Sequence, residues 1–349
     1  MNKAQMAMKK VKVVQIGMRH EHAEGKMISL RKLPDIFDIA GVVDEKDFAH
    51  NATYLANDDM LHRHFDDLPK LTLEETFDLP GLDGVLVEVP NLDLVPVAMK
   101  CMERGIPMHM DKPGCPDLEE FKKLLDGCAA RKLPFQMGFM YRGNPAMEKL
   151  KELHAENVLG TLLEVEMDMC HDYGGEVYQE YLATLPGGVM YNLGCHDFDF
   201  IVSLLGAPEK VTSFCKNVCG AAGGRAINNT MAVLEYPETL VSVRVNALKG
   251  RGSAHRRLMA AGTNGVFELV PVERFDGQEL IATLDLKQAR GGFEKGKNIL
   301  SFGVQTDRYA LQLEEFAKIL RGEIESPDYT AHDYLTHKVV LAAAGLRPY

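Results

Sequence analysis

Between Lys10 and Met137 short apolar runs alternate with amphipathic segments, and this alternation restricts the fold more than any other feature of the chain. The runs "VKVVQIG", "IFDIAGVVDEKD", "LDGVLVEVP", "IPMHMDKPG" and "PFQMGFM" are separated by stretches of helical spacing, among them "DLVPVAMKCMERG" and "DLEEFKKLLDGCAARKL". Near-continuous apolar strands alternating with helices require a parallel sheet covered on both faces. Residues 10–137 are therefore expected to form a doubly wound, Rossmann-like α/β domain.

Beyond Tyr141 the pattern changes. The helical stretch "NPAMEKLKELHAENVLG" leads to a strand, a glycine-rich loop and a helix beginning near Tyr191. The strand-like runs "EKVTSFCKNV", "TMAVLEY", "TLVSVRVNAL", "RRLMAAG" and "GVFELV" then follow with short turns, and the last forty or so residues read as two helices. Consecutive strands with short connections predict a second domain, residues 138–349, of α+β type with a mixed or antiparallel sheet. The chain's 349 residues are enough for two such cores.

Composition excludes several classes. The net charge of −11 leaves no basic surplus for a phosphate backbone, so nucleic acid is not an expected partner. The first apolar run is short and bounded by charge, so neither a signal peptide nor a membrane span is expected. Seven cysteines without a C-x-x-C spacing suggest reduced thiols and a cytoplasmic setting.

The first strand runs into "GMRHEHA", where a dinucleotide loop wants glycines at its first, third and sixth positions. Only Gly17 meets that pattern, with Met18, Arg19 and His20 following. Asp44 closes the second strand, where an acid accepts hydrogen bonds from adenosine ribose hydroxyls and repels a 2′-phosphate, which favours NAD over NADP. Arg19 is placed to pair with the pyrophosphate and offset the missing glycine.

Two further stretches carry chemistry. In "MDKPG" proline crowds the preceding residue out of the α region, so Lys112 is held on restricted backbone at a strand's carboxyl end, where open parallel sheets bind ligands. In "GGVMYNLGCHDFDF" a helix from Tyr191 would put Asn192, His196 and Asp199 on one face. A histidine with an ordinary pKa of about 6.5 takes a proton near neutral pH, and a lysine stabilises an oxygen on which negative charge develops.

The order of "VEVPN", "DKPG", "GFMYRGNPAMEKLKELHAENVLG" and "GGVMYNLGCHDFD" resembles the Gfo/Idh/MocA family of NAD(P)-dependent oxidoreductases, over nearly the whole chain. The resemblance implies a Rossmann domain followed by an α/β domain whose large open sheet forms an oligomer interface, hence a homodimer or homotetramer, with the last helix packing back on the first domain. It implies that Lys112 lies between nicotinamide and the substrate hydroxyl, that His196 is the catalytic histidine with Asn192 where many members have aspartate, and that Pro90, Asn91 and Asp111 contact the cofactor side. Tyr141, Arg142 and His171 stand where family members contact substrate. No metal is expected.

Where Asn192 replaces aspartate, the charge that would support a protonated His196 is missing, and Asp199 or Asp197 is the expected substitute. The activity so implied is a hydride transfer between NAD and a ring secondary alcohol of a sugar, polyol or glycoside. Two alternatives use the same fold: a glycoside lyase or hydrolase that oxidises its substrate only transiently with bound NAD, and a non-catalytic nucleotide or sugar sensor.

Overall fold

The computed structural model describes residues 9–19, 21–44, 48 and 63–349. The chain divides into two compact units, one formed by residues up to Gly138 together with Arg308–Thr330, the other by Phe139–Asp307 together with Ala331–Tyr349.

The first unit is built on six strands in the order β3-β2-β1-β4-β5-β6, all pairs parallel. They are β1 (Val11–Ile16), β2 (Phe37–Val43), β3 (Lys70–Leu71), β4 (Gly84–Val87), β5 (Met108–Met110) and β6 (Phe135–Met137). Every residue of β4 and β5 is buried, as a central parallel strand covered on both faces demands. The helices among the described residues are α1 (Glu21–Arg31), α2 (Leu73–Phe77), α3 (Leu94–Glu103) and α4 (Leu118–Ala130), joined by the helix Ala310–Leu320. Asp117 caps α4 by accepting from the backbone N–H groups of Glu119 and Glu120, and a capping box of Thr72 and Glu75 starts α2. The sheet order reverses between β1 and β4, so the loops after these two strands diverge and leave the crevice that such folds use for ligands.

The second unit carries an eight-stranded sheet in the order β14-β13-β12-β11-β7-β10-β9-β8. Its strands are β7 (Leu162–Cys170), β8 (Lys210–Lys216), β9 (Asn229–Glu235), β10 (Leu240–Asn246), β11 (Arg257–Gly262), β12 (Gly265–Leu269), β13 (Glu279–Leu286) and β14 (Gly296–Val304). Only β7 and β10 run parallel; the other neighbours are antiparallel, so the sheet is mixed. The helices are α5 (Pro145–Ala155), α6 (Glu176–Thr184), α7 (Gly188–Asn192), α8 (Cys195–Leu205) and α10 (Thr330–Ala343), with Ala310–Leu320 taking the place of α9 in chain order. Along β13 Leu280, Ala282, Leu284 and Leu286 point inward, while Glu279, Ile281 and Asp285 point out. Helices α5, α7 and α8 cover the inward face.

Three expectations change. The helix that joins the first unit is α9, whereas α10, the last helix, belongs to the second. Strands β13 and β14 extend the sheet beyond the five runs singled out above. The helix expected from Tyr191 is two helices, with Leu193 and Gly194 between α7 and α8. Gly194 is packed so closely that a Cβ there would lie 2.7 Å from the Met190 carbonyl oxygen of α7 and 3.2 Å from Val245 of the sheet. Among the described residues no helix is long and apolar enough to cross a membrane.

Candidate active site

In the first unit the chain turns sharply at Gly17, whose φ is +110° and where a Cβ would stand 2.2 Å from the carbonyl oxygen of Glu88. No other residue fits that backbone, and the Gly17 N–H donates to Val43 O at 3.0 Å, fixing the loop to the end of β2. This is the close turn that a dinucleotide loop requires, so the residues present fit a nicotinamide dinucleotide. Met18 is buried beside it, and His20 lies outside the described residues. Arg19 and Asp44, assigned separately to pyrophosphate and ribose, are joined to each other. Arg19 Nε donates to Asp44 Oδ1 at 2.5 Å and its terminal nitrogen to Oδ2 at 3.0 Å.

At the carboxyl ends of β4 and β5 stand Pro90, Asn91, Asp111 and Lys112. Asn91 is buried and Lys112 is 1% exposed, and the Lys112–Pro113 peptide bond is cis. His22 Nδ1 lies 2.8 Å from Asp111 Oδ2. Burial works against the Asp111 charge, but His22 and Lys112 hold its carboxyl well below the usual range. Burial, assisted by Lys112, pushes the His22 imidazole down.

Directly behind them is a polar cluster that sequence reading missed. Lys26 Nζ donates to His109 Nε2 at 2.8 Å, His109 Nδ1 meets Gln136 Oε1 at 2.8 Å, and Gln136 Nε2 donates to Glu315 at 2.7 Å. The Tyr309 ring lies 4.2 Å from Lys26 Nζ. Glu88 is buried with Lys26 Nζ 3.7 Å away and no hydrogen bond to either carboxyl oxygen, and burial holds it well above the usual carboxylate range. One signal was available: His109 and Gln136 each sit in the middle of a three-residue, otherwise apolar strand.

In the second unit the turn after Gly138 encloses His196. The Phe139 ring meets the imidazole edge-on at 6.1 Å and the Tyr141 ring at 5.8 Å. Arg142, on the same turn, is drawn into ion pairs: Nε donates to both Asp199 oxygens at 3.1 Å, and a terminal nitrogen reaches Asp199 Oδ1 and Asp333 Oδ1 at 2.5 Å each. His332 Nε2 lies 2.9 Å from Asp199 Oδ1. Despite burial, Arg142 and His332 keep the Asp199 carboxyl low; burial pushes Asp333 up against the pull of Arg142. Arg142 thus ties its turn to Asp199 and Asp333, and the charge expected from Asp199 for His196 is already paired with Arg142. Asp199, His332 and Asp333 offer ligand-type atoms within 4.8 Å of one another, but the cation among them is the guanidinium.

Asn192 ends α7, and its amide donates to the Tyr178 hydroxyl at 3.3 Å. Tyr178 belongs to an aromatic row with Tyr173 and Tyr181, and His171 stacks on Tyr173 at 4.2 Å. The other edge of His171 meets the Arg256 guanidinium, which is ion-paired with Glu273. Asp197 is buried with one oxygen unpartnered, and burial, helped by Asp168, holds it well above the usual range.

Two family models match: an oxidoreductase family with an NAD-binding Rossmann fold over residues 11–139, and a Gfo/Idh/MocA C-terminal domain over residues 147–268. The chain belongs to the Gfo/Idh/MocA family. Among its relatives are the rhizopine catabolism protein MocA of Rhizobium meliloti, 27% identical over 41% of this chain and 44% of that one, and an inositol 2-dehydrogenase of Corynebacterium glutamicum, 28% identical over 39% of each. The chain thus aligns with about two fifths of the length of these relatives. The Gfo/Idh/MocA fold is also that of an Agrobacterium radiobacter oxidoreductase solved with NAD+, L-tartaric acid and magnesium, with a TM-score of 0.76, 16% identity, and coverage of 96% of this chain and 95% of that one.

Proposed function

We propose that this protein is an NAD-dependent dehydrogenase that moves a hydride between nicotinamide and a ring secondary alcohol of a polyol, sugar or glycoside. The observation that carries the reading is Lys112, a lysine 1% exposed at the close of β5, beside a carboxylate kept ionised by its neighbours. A cation withheld from water at the carboxyl end of a parallel strand is useful where negative charge develops during reaction. The substrate class rests on the inositol 2-dehydrogenase among the relatives and on the family resemblance of the lysine and histidine motifs.

Gly17, Asp44, Pro90 and Asn91 are the residues that would hold NAD, which when bound supplies the hydride acceptor. Lys112 donates a hydrogen bond to the substrate oxygen and stabilises the alkoxide character it gains. The family resemblance of the "GGVMYNLGCHDFD" segment gives His196 the part of proton acceptor. Phe139 and Tyr141 restrict the imidazole's orientation and its access to water. Asn192, held by Tyr178, orients polar groups near the end of α7 without adding charge.

The test is NADH formation from NAD+ with inositols, aldoses and glycosides. The wild-type protein is expected to reduce NAD+ with at least one ring polyol, and Lys112→Met to lose about a hundredfold or more of kcat/KM, the scale of one electrostatic contact to a reacting oxygen. Equal rates for the two proteins would contradict the assignment.

A further inference from the structure

Counted from Gly17, His22 takes the sixth position of the loop, where a dinucleotide fingerprint wants a glycine. As the second residue of α1 it reaches the end of β5, where its Nδ1 lies 2.8 Å from Asp111 Oδ2. Asp111 immediately precedes Lys112, and the two are buried at 4% and 1% exposure. The Asp111 N–H donates to Val87 O at 2.9 Å, so its backbone is tied to β4 while its carboxylate is tied to α1. A carboxylate so placed needs a donor, because a buried charge without a partner is costly. The kind of donor matters to the neighbouring lysine. Arginine or lysine in place of His22 would bring a second full cation to a carboxylate that already faces Lys112. Histidine avoids this: burial, then the Lys112 charge, lower its pKa, and the start of a helix also disfavours a cation. The neutral ring donates its Nδ1–H to Oδ2 and leaves the carboxylate's charge to Lys112.

We infer that His22 is a positioning residue for Lys112: its imidazole holds the Asp111 carboxylate in place, and that carboxylate fixes the ammonium beside it. The inference rests on the reading of Lys112 as the group that meets the reacting oxygen. A hold of this kind acts on rate, since displacing a reacting group by about 1 Å costs about a hundredfold.

Two measurements on the full chain test it. The first needs no coenzyme: the ring nitrogens of His22 are followed by NMR through a pH titration. The titratable groups facing the ring are Lys112, Asp111 and Glu21. The wild-type ring is expected to be neutral at pH 7 with its proton on Nδ1, and to charge only below the ordinary histidine value of about 6.5. Asp111→Ala should release the ring from that tautomer and lower its pKa further, because Asp111 is among the groups that raise it. A wild-type ring that carries its proton on Nε2, or is charged at pH 7, overturns the inference. The second compares NAD+ reduction by a ring polyol with NAD+ binding measured by calorimetry. His22→Ala should lower kcat by about 10- to 100-fold while changing the NAD+ dissociation constant by less than about threefold. His22→Asn, whose amide N–H can stand where Nδ1–H stood, should recover to within about fivefold of wild type. Folded His22→Ala protein with unchanged kcat overturns the inference and leaves the reading of Lys112 intact. A loss of NAD+ affinity in step with the rate, or no recovery in His22→Asn, also overturns it. Wild type that reduces NAD+ with no ring polyol overturns the reading of Lys112, and the inference with it.

Discussion

Asp197 and Asp199 lie two positions apart on α8 and are both buried, yet their environments push them in opposite directions. Asp199 is surrounded by Arg142 and His332 and stays ionised; Asp197 has an unpartnered oxygen and a carboxyl held well above its usual range by burial. Asp197 ionises in the unfolded chain near pH 4 but stays protonated in the fold, so its contribution to stability is present below the unfolded pKa and is lost as pH rises through the folded one. Asp197→Asn is therefore expected to raise the melting temperature by a few degrees at pH 8 and to give no gain at pH 4. A gain of equal size at both pH values would contradict the raised pKa. The sign is reversed for Asp199, whose contribution persists above the unfolded value and disappears only in strong acid, as pH falls through the lowered folded pKa. Removing its counter-charge is the harsher change: Arg142→Met leaves buried carboxylates unpaired and should cost about 3–5 kcal/mol in denaturant unfolding. A loss below about 1 kcal/mol would show that the cluster does not anchor the turn that holds His196.

At the scale of elements, the strand-helix grammar of the first unit and the glycine turn after β1 were legible because both are local. Periodicity gives the buried strands, and only glycine tolerates the backbone at Gly17. Gly17→Ala is expected to abolish NAD+ binding, read by calorimetry, because its Cβ would collide with the backbone after β4; binding retained within about tenfold would contradict the tight-turn account. The break between α7 and α8 was not legible. It separates Asn192 from the register of His196 and Asp199, and Gly194 within it packs against Met190 and against Val245, a residue some fifty positions away in β10. Likewise nothing in "TAHDYLTHKVV" marks Asp333 as a partner of Arg142 or His332 as a partner of Asp199, since they lie 191 and 133 positions away along the chain. The pairing of Arg19 with Asp44 is not legible for the same reason: the two residues stand 25 positions apart, after different strands.

At the scale of the whole molecule, the register of the eight-stranded sheet places Phe214, Leu240, Val266, Ile281 and Ile299 on one face, the one opposite the helices, where Ile299 is 59% exposed. Five large apolar side chains on one open surface favour association, and the family resemblance assigns this sheet to subunit contact. The prediction is a homodimer or homotetramer in light scattering, and the double substitution of Ile281→Glu and Ile299→Glu should shift it toward monomer; an unshifted mass would place the contact elsewhere. Arg257, bridging Glu166 and Glu268 on the same face, supplies polar contacts amid the apolar ones. The central claim, net hydride transfer from a ring carbon to NAD, is tested most directly by isotope tracing with a substrate from the panel carrying deuterium at the reacting carbon. The account predicts one deuterium per turnover in the NADH formed and an oxidised, intact ring. Deuterium retained in a cleaved carbohydrate product, with no accumulation of NADH, would contradict it and identify the transient redox cycle instead.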